Sequence, residues 1–223
     1  MDHAFLTVLD ERHGCRAFTS EAVDKSLVAR AVQAAGRAPS SKNTQPWRLE
    51  IVIGKRLEEL RAALLASADA KEPMAPDYRY SPDPLPEDMM ARARACGFGL
   101  FAHKGIARDD KPARQAHDRE NPRLFGAPAF AVLTLPRVAE KGTFMDGGIF
   151  MGSFLLALRA VGYESTPMYS VACQAPVIRR VLGLSDDAIV VAGVAFGVED
   201  QAAHVNAFRT EREPFDKIVK WHD

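Results

Sequence analysis

Two segments near the N-terminus carry residue types that could act on one ligand. Arg12-His13-Gly14-Cys15-Arg16-Ala17-Phe18 packs cations around a glycine. Ala38-Pro39-Ser40-Ser41-Lys42-Asn43-Thr44-Gln45-Pro46-Trp47 is a run of hydroxyls and amides ending in Pro-Trp, just ahead of an apolar stretch. In the first segment Arg12, His13 and Arg16 can converge on a dianion. Guanidinium–phosphate forks are charge-assisted and bidentate, about 1.5–3 kcal/mol per bond, and Gly14 lets backbone approach such a ligand closely. The alternative is a helix-end basic cluster paired with Asp10 and Glu11. In the second segment Ser40, Ser41, Asn43 and Gln45 supply donors and acceptors between Pro39 and Pro46. Turn chemistry accounts for the serines and the asparagine, but less well for Gln45-Pro46-Trp47 running into a buried strand. Arg209-Thr210-Glu211-Arg212 adds two cations, which alone read as a solvated face and in company complete an anion cage.

The two segments together suit a ligand that is anionic at one end and rich in hydrogen-bonding heteroatoms at the other. A flavin mononucleotide (FMN) has that form, with a phosphate, a polar ribityl chain and a heteroaromatic ring.

The elements that must position these residues are legible in outline. Residues 20–36 read as a helix on the spacing of Val23, Leu27, Val28, Ala31, Val32 and Ala35, with Ser20 as N-cap and Gly36 as its stop. Residues 47–53 read as a strand bounded by Gly54, and residues 55–70 as an Ala/Leu-rich helix. Residues 71–86 change character: five prolines surround Tyr78 and Tyr80. That excursion is either a functional lid or arm, or a mobile surface loop. Helix resumes at 87–103, and 105–121 reads as a charged, solvated helix. Residues 127–135 and 189–196 are apolar almost throughout and read as buried strands. Between them lie an apolar helix at 146–161, with Asp146 at its cap or first turn and Gly162 at its end, and a short helix at 175–182. Few strands among several helices imply an α+β layer structure.

The composition narrows the function classes. The chain has 223 residues, 47% hydrophobic and 26% charged, with 29 basic and 29 acidic residues. A formal net charge of zero argues against a duplex nucleic-acid binder. Cys15, Cys96 and Cys173 are far apart and odd in number, which points to reduced thiols in a cytoplasmic setting. The six scattered histidines offer no zinc spacing, so no metal is expected. Met1-Asp2-His3-Ala4 lacks a signal-peptide pattern, and no apolar run reaches the roughly 20 residues of a membrane span.

These segments resemble the nitroreductase family of FMN-dependent oxidoreductases. The family pattern Arg-(Arg/His)-Ser-x-(Arg/Lys)-x-Phe is matched by Arg12 to Phe18, with Gly14 in place of the serine. Pro-Ser-x-x-Asn-x-Gln-Pro-Trp is matched by Pro39 to Trp47. Asn121 followed by Phe125-Gly126-Ala127-Pro128 resembles the family's asparagine before the central strand, and residues 146–162 its long core helix. Thr166-Pro167-Met168-Tyr169-Ser170 falls where the family sets backbone against the flavin ring, and Arg209 and Arg212 match the basic C-terminal pair. Five motifs in order along nearly the whole chain make a specific match.

The resemblance implies one FMN-binding domain over residues 1–223, with a mixed, mainly antiparallel central sheet flanked by helices. It implies an entwined homodimer with two FMN at the interface and a tail, about 204–223, that wraps the partner. NADH or NADPH would deliver hydride to the flavin, and a nitroaromatic, quinone or related acceptor would then take two electrons in ping-pong order. Arg12, His13, Gly14, Arg16, Arg209 and Arg212 are the expected phosphate end. Pro39, Ser40, Ser41, Asn43, Gln45 and Asn121 are expected along the ribityl chain and ring edge, with backbone at Pro167, Met168, Tyr169 and Ser170 against the ring. No side chain is expected as a catalytic acid, base or nucleophile, since the chemistry is the flavin's. Tyr78, Tyr80, Phe144 and Tyr169 are expected to shape the acceptor pocket, and Tyr169 stands where some members carry a glutamate. Cys15 is expected to be a neighbour of the site rather than a redox group. A flavin-storage protein, or dehalogenation or flavin fragmentation on the same scaffold, remain alternatives that the sequence does not separate, and the acceptor and the choice of NADH or NADPH stay open.

Overall fold

The computed structural model describes residues 4–222; Met1–His3 and Asp223 lie outside it, and with them most of the N-terminal stretch read above and the last residue of the expected tail. The elements run α1 (Ala4–Glu11), α2 (Lys25–Ala35), β1 (Arg48–Ile53), α3 (Gly54–Asp69), α4 (Glu87–His103), α5 (Lys111–Asp118), β2 (Ala129–Pro136), α6 (Lys141–Ala160), β3 (Glu164–Met168), α7 (Tyr169–Ala172), α8 (Ala175–Leu182), β4 (Ala188–Gly197) and α9 (Phe215–Ile218).

The strands form one sheet in the order β1-β2-β4-β3, and each neighbouring pair is antiparallel. Its parallel component among the described residues is a single bridge from Gly14 to Ser165. The central strands β2 and β4 are buried along nearly their whole length, because helices cover both faces. Alternation sorts the β2 side chains by face. Ala129, Ala131, Leu133 and Leu135 join Trp47, Phe150 and Phe154 under α2 and α6, whereas Phe130 and Val132 join Leu57, Leu60, Leu64 and Ile178 under α3 and α8. Gly193 of β4 makes this possible, since a Cβ there would lie 2.1 Å from the Phe130 ring.

Several boundaries differ from the sequence reading. Helix α2 starts at Lys25, because the Asp24 carboxylate accepts from the Ser26 amide at 2.7 Å and caps it, leaving Ser20 outside. Helix α6 starts at Lys141 through a capping box between Glu140 and Thr143, so Asp146 is no cap but a buried side chain in the second turn. Helices α1, α7 and α9 and strand β3 have no counterpart in the sequence reading. Pro167 lies within β3, which it can do because β3 is an edge strand and one ladder donor is dispensable there.

Candidate functional site

The arginine end of the site is built on a sheet edge. The segment after α1 runs beside β3, where the Cys15 amide donates to the Ser165 carbonyl at 3.2 Å. A Cβ on Gly14 would stand 3.4 Å from the Thr166 hydroxyl and 3.5 Å from Nη1 of Arg16. Arg12, Arg16, Arg209 and Arg212 each tether one guanidinium nitrogen to nearby carbonyls: Arg12 to that of His13 at 3.2 Å, Arg16 to that of Gly14 at 3.2 Å, Arg209 to those of Asn206 and Phe208, and Arg212 to those of Thr210 and Glu211. None of the four makes an ion pair with a carboxylate among the described residues. Burial, and then the like charge of Arg212, lower the pKa of Arg12; burial lowers that of Arg16. Guanidiniums that keep free donors and no carboxylate ion pair suit an anion chemically.

From this end the open edge continues along β3. Pro167 is exposed, Met168 is buried beneath it, and Tyr169 and Ser170 open α7. The Ser170 hydroxyl donates to Oδ1 of Asn121 at 3.1 Å, so the asparagine expected at the ring edge does reach the Pro167–Ser170 segment.

The polar loop lies elsewhere. Lys42, Asn43 and Gln45 adopt φ of 52°, 58° and 45°, a left-handed conformation that costs non-glycine residues energy and persists only where surroundings enforce it. The enforcement is visible. The Gln45 amide donates to the Ser40 hydroxyl at 3.0 Å, the Ser41 amide donates to both Asp146 carboxylate oxygens at 3.3 Å, and Trp47 stacks on Phe150 at 4.9 Å and 17°. Ser41, Asn43 and Gln45 therefore stand exposed on a fixed loop beside exposed Pro39. The loop hangs from Asp146, while Arg159, on the same helix, pairs with Glu11 and Glu164 at the arginine end. From Asp146 to Arg159 the α6 axis rises about 20 Å, so one chain holds the two expected halves of the site at opposite ends of α6.

The four expected acceptor-pocket residues do come together. Tyr78 lies 4.7 Å from Phe144 and 5.6 Å from Tyr169, and Tyr80 stacks on Tyr169 at 4.3 Å, centroid to centroid. Tyr78, Tyr80 and Phe144 line a cavity of about 570 Å³ with Leu133 and Met151. The Pro/Tyr excursion is anchored rather than loose: the Tyr78 hydroxyl donates to the Val191 carbonyl at 2.9 Å, and the Asp77 carboxylate accepts from the Val190 amide at 2.8 Å and from Arg179 at 2.7 Å. Burial raises the pKa of Tyr78 and Tyr169, keeping both hydroxyls as donors.

One expectation is corrected. His13 does not converge with the arginines. Its ring is buried, with Nε2 3.0 Å from Glu199 and Nδ1 3.2 Å from the Glu11 carbonyl, so both nitrogens are engaged behind the sheet edge. Cys15 is a buried neighbour of the arginine end, where burial outweighs the pull of Arg16 and Arg209 toward the thiolate. Sγ is buried and donates to the Ala17 carbonyl at 3.2 Å, and burial pushes the thiol up to about 12. The sequence offers Asp146 only a capping role and singles out neither Asp77 nor Asn206, because the partners of all three lie far along the chain and leave no local pattern.

Residues 9–198 match a family model described as the nitroreductase family. A chloronitrobenzene nitroreductase of Comamonas testosteroni is 32% identical over 216 residues, covering 95% of each chain. Among solved structures, the FMN and NADPH-dependent nitroreductase NfnB from sphigopyxis sp. strain HMH superimposes with a TM-score of 0.95 at 35% identity, over 98% of this chain and 99% of that one. The FMN-dependent nitroreductase NfnB from Mycobacterium smegmatis, in complex with NADPH, gives 0.94 at 30% identity, over 99% and 98%.

Proposed function

The chain belongs to the nitroreductase family, and from that premise we propose that it is an FMN-dependent oxidoreductase, using NAD(P)H to reduce nitroaromatic, quinone or related acceptors. The observation that carries the reading is the set of four arginines without a carboxylate partner at one end of an open sheet edge. FMN, held there, would supply the two-electron chemistry between NAD(P)H and the acceptor. Arg12, Arg16, Arg209 and Arg212 hold the phosphate, and His13 holds the backbone between Arg12 and Gly14 in place. Ser40, Asn43 and Asn121 hydrogen-bond the ribityl chain and ring edge. The backbone at Pro167–Ser170 would face the ring and offer it fixed dipoles. Tyr78, Tyr80, Phe144 and Tyr169 exclude water and bound the acceptor. The 71–86 excursion is a wall of this single domain, and the free cysteines suit a reducing cytoplasm.

The working unit in this reading is a homodimer with the 204–223 tail against the partner. Helix α6 exposes Met145 and Ile149 beside Gly148 and Gly152, α1 exposes Phe5, Leu6 and Leu9, and the tail exposes Phe215, Ile218 and Trp221. Surfaces this apolar mark interfaces. A twofold axis crossing α6 brings the 39–46 loop of one copy to the arginine end of the other, joining the halves that one chain keeps about 20 Å apart.

The test is the visible spectrum of the purified protein during anaerobic NADPH titration. Flavin bands that bleach support the reading. Bands that persist with both NADPH and NADH leave a flavin-binding protein with another donor or a storage role. No flavin band after reconstitution with FMN returns the arginines to a solvated surface.

A further inference from the structure

Asn206 is 4% exposed and lies just after β4, in the short helical turn His204–Ala207. Its side chain joins the two arms that carry the phosphate arginines. Oδ1 accepts from the Arg16 amide at 2.8 Å and from the Ala17 amide at 3.1 Å. Nδ2 donates to the Ala17 carbonyl at 2.8 Å and to the Asp200 carbonyl at 3.0 Å. The backbone carbonyl of Asn206 in turn accepts from the Arg209 guanidinium.

All four side-chain partners are backbone groups of fixed polarity, which settles the orientation of the amide: the oxygen must face the two N–H groups and the nitrogen the two carbonyls. The side chain has two donors and two acceptor sites, and all are used. An aspartate would set a carboxylate oxygen against two carbonyls. An apolar residue would leave two buried amides and two carbonyls without this partner. No other residue type of that size presents both faces.

We propose that Asn206 is the positioning residue of the phosphate cage, setting Arg16 and Arg209 at the separation a phosphate monoester requires, and so determining the preference for FMN over the unphosphorylated flavin. The inference rests on the FMN reading above. Asn206 touches no ligand itself. It acts through the backbone of Arg16 on one arm and the guanidinium of Arg209 on the other. Arg16 is itself half-buried, and for a partly desolvated guanidinium small displacements matter most.

The test is flavin binding by the apo-protein, read by fluorescence for FMN and riboflavin in parallel, on wild type, Asn206→Asp and Asn206→Ala. The expected result is a loss of FMN affinity of at least tenfold in both variants with riboflavin affinity changed less than twofold. Equal losses for the two flavins, or no loss, overturn the inference and leave Asn206 a fold residue only. Wild type that binds neither flavin overturns the cofactor reading and this inference with it. Should both variants fail to fold, hydrogen exchange on wild type decides. FMN must protect the Arg16–Ala17 amides and the 204–210 segment together while riboflavin protects neither, and protection of only one segment, or equal protection by riboflavin, overturns the inference.

Discussion

The Ser41 amide donates to both carboxylate oxygens of Asp146, at 3.3 Å each, and this bond hangs a loop with three left-handed residues on a buried position of α6. Removing the acceptor takes away the bond that ties Ser41 to α6 and releases the loop. Asp146→Ala is expected to weaken FMN binding roughly tenfold, the cost of one charged hydrogen bond, whereas Asp146→Asn keeps an acceptor and stays within a few-fold. Fluorescence titration of the two variants checks this, and equal affinities would sink the role given to the loop.

Arg16 has a guanidinium tethered to the Gly14 carbonyl and no carboxylate partner among the described residues. Arg16→Ala should cost FMN affinity roughly 10- to 150-fold, the equivalent of about 1.5–3 kcal/mol. Arg16→Lys should recover only part of it, because an ammonium cannot fork. Equilibrium dialysis at two salt concentrations measures both, and a lysine variant equal to wild type argues against a bidentate contact.

Tyr80 is 65% exposed and holds its place by stacking on Tyr169, whereas Tyr78 also bonds Val191. Tyr80→Ala therefore tests the pocket with less damage to the wall. Acceptor KM should change at least several-fold while the rate of anaerobic NADPH oxidation and the melting temperature hold. Unchanged acceptor kinetics in Tyr80→Ala and Tyr78→Ala remove the excursion from the acceptor site.

Ile149 lies beside Gly148 on the outer face of α6. Ile149→Glu places a charge on the proposed twofold contact, where an unpaired buried carboxylate is costly. Sedimentation should show monomers, and FMN should be lost with them if the proposed site draws on both copies. A monomer that retains FMN refutes the shared site.

The Cys15 thiol, pushed by burial up to about 12 from a usual 9.0, binds its proton more tightly folded than unfolded. Its contribution to stability is therefore complete below pH 9 and declines as pH rises toward 12. Cys15→Ala should flatten that alkaline decline in denaturant titrations. In the native protein at pH 8, a thiol reagent should leave Cys15 unmodified, and its rapid labelling there would contradict the burial argument.

What was legible in the sequence was whatever rests on local periodicity and residue type. The α4 bounds 87–103 and the α8 bounds 175–182 follow from apolar spacing and chain punctuation, and their ends agree with the structure. The arginines, the Ser/Asn/Gln loop and the aromatic quartet are visible as candidate chemistry because residue type alone shows their charges, donors and rings. Strand β3 was not, since Pro167 masks its pattern and only its edge position excuses the missing donor.

The sequence by itself determined the class of ligand: four arginines and a run of amides and hydroxyls are a chemical inventory that needs no coordinates. Tertiary structure alone decided how that inventory is arranged. It turned His13 behind the sheet edge onto Glu199, 186 positions away, and tied Asn206 to the Arg16 amide across 190. It also buried Asp146 beneath a loop 105 positions distant and set the two expected halves of the site at opposite ends of α6. The reason is that a buried polar group is committed to whichever complementary group the packed layers bring to it, and that partner is set by the packing of sheet and helices rather than by any neighbour in the chain.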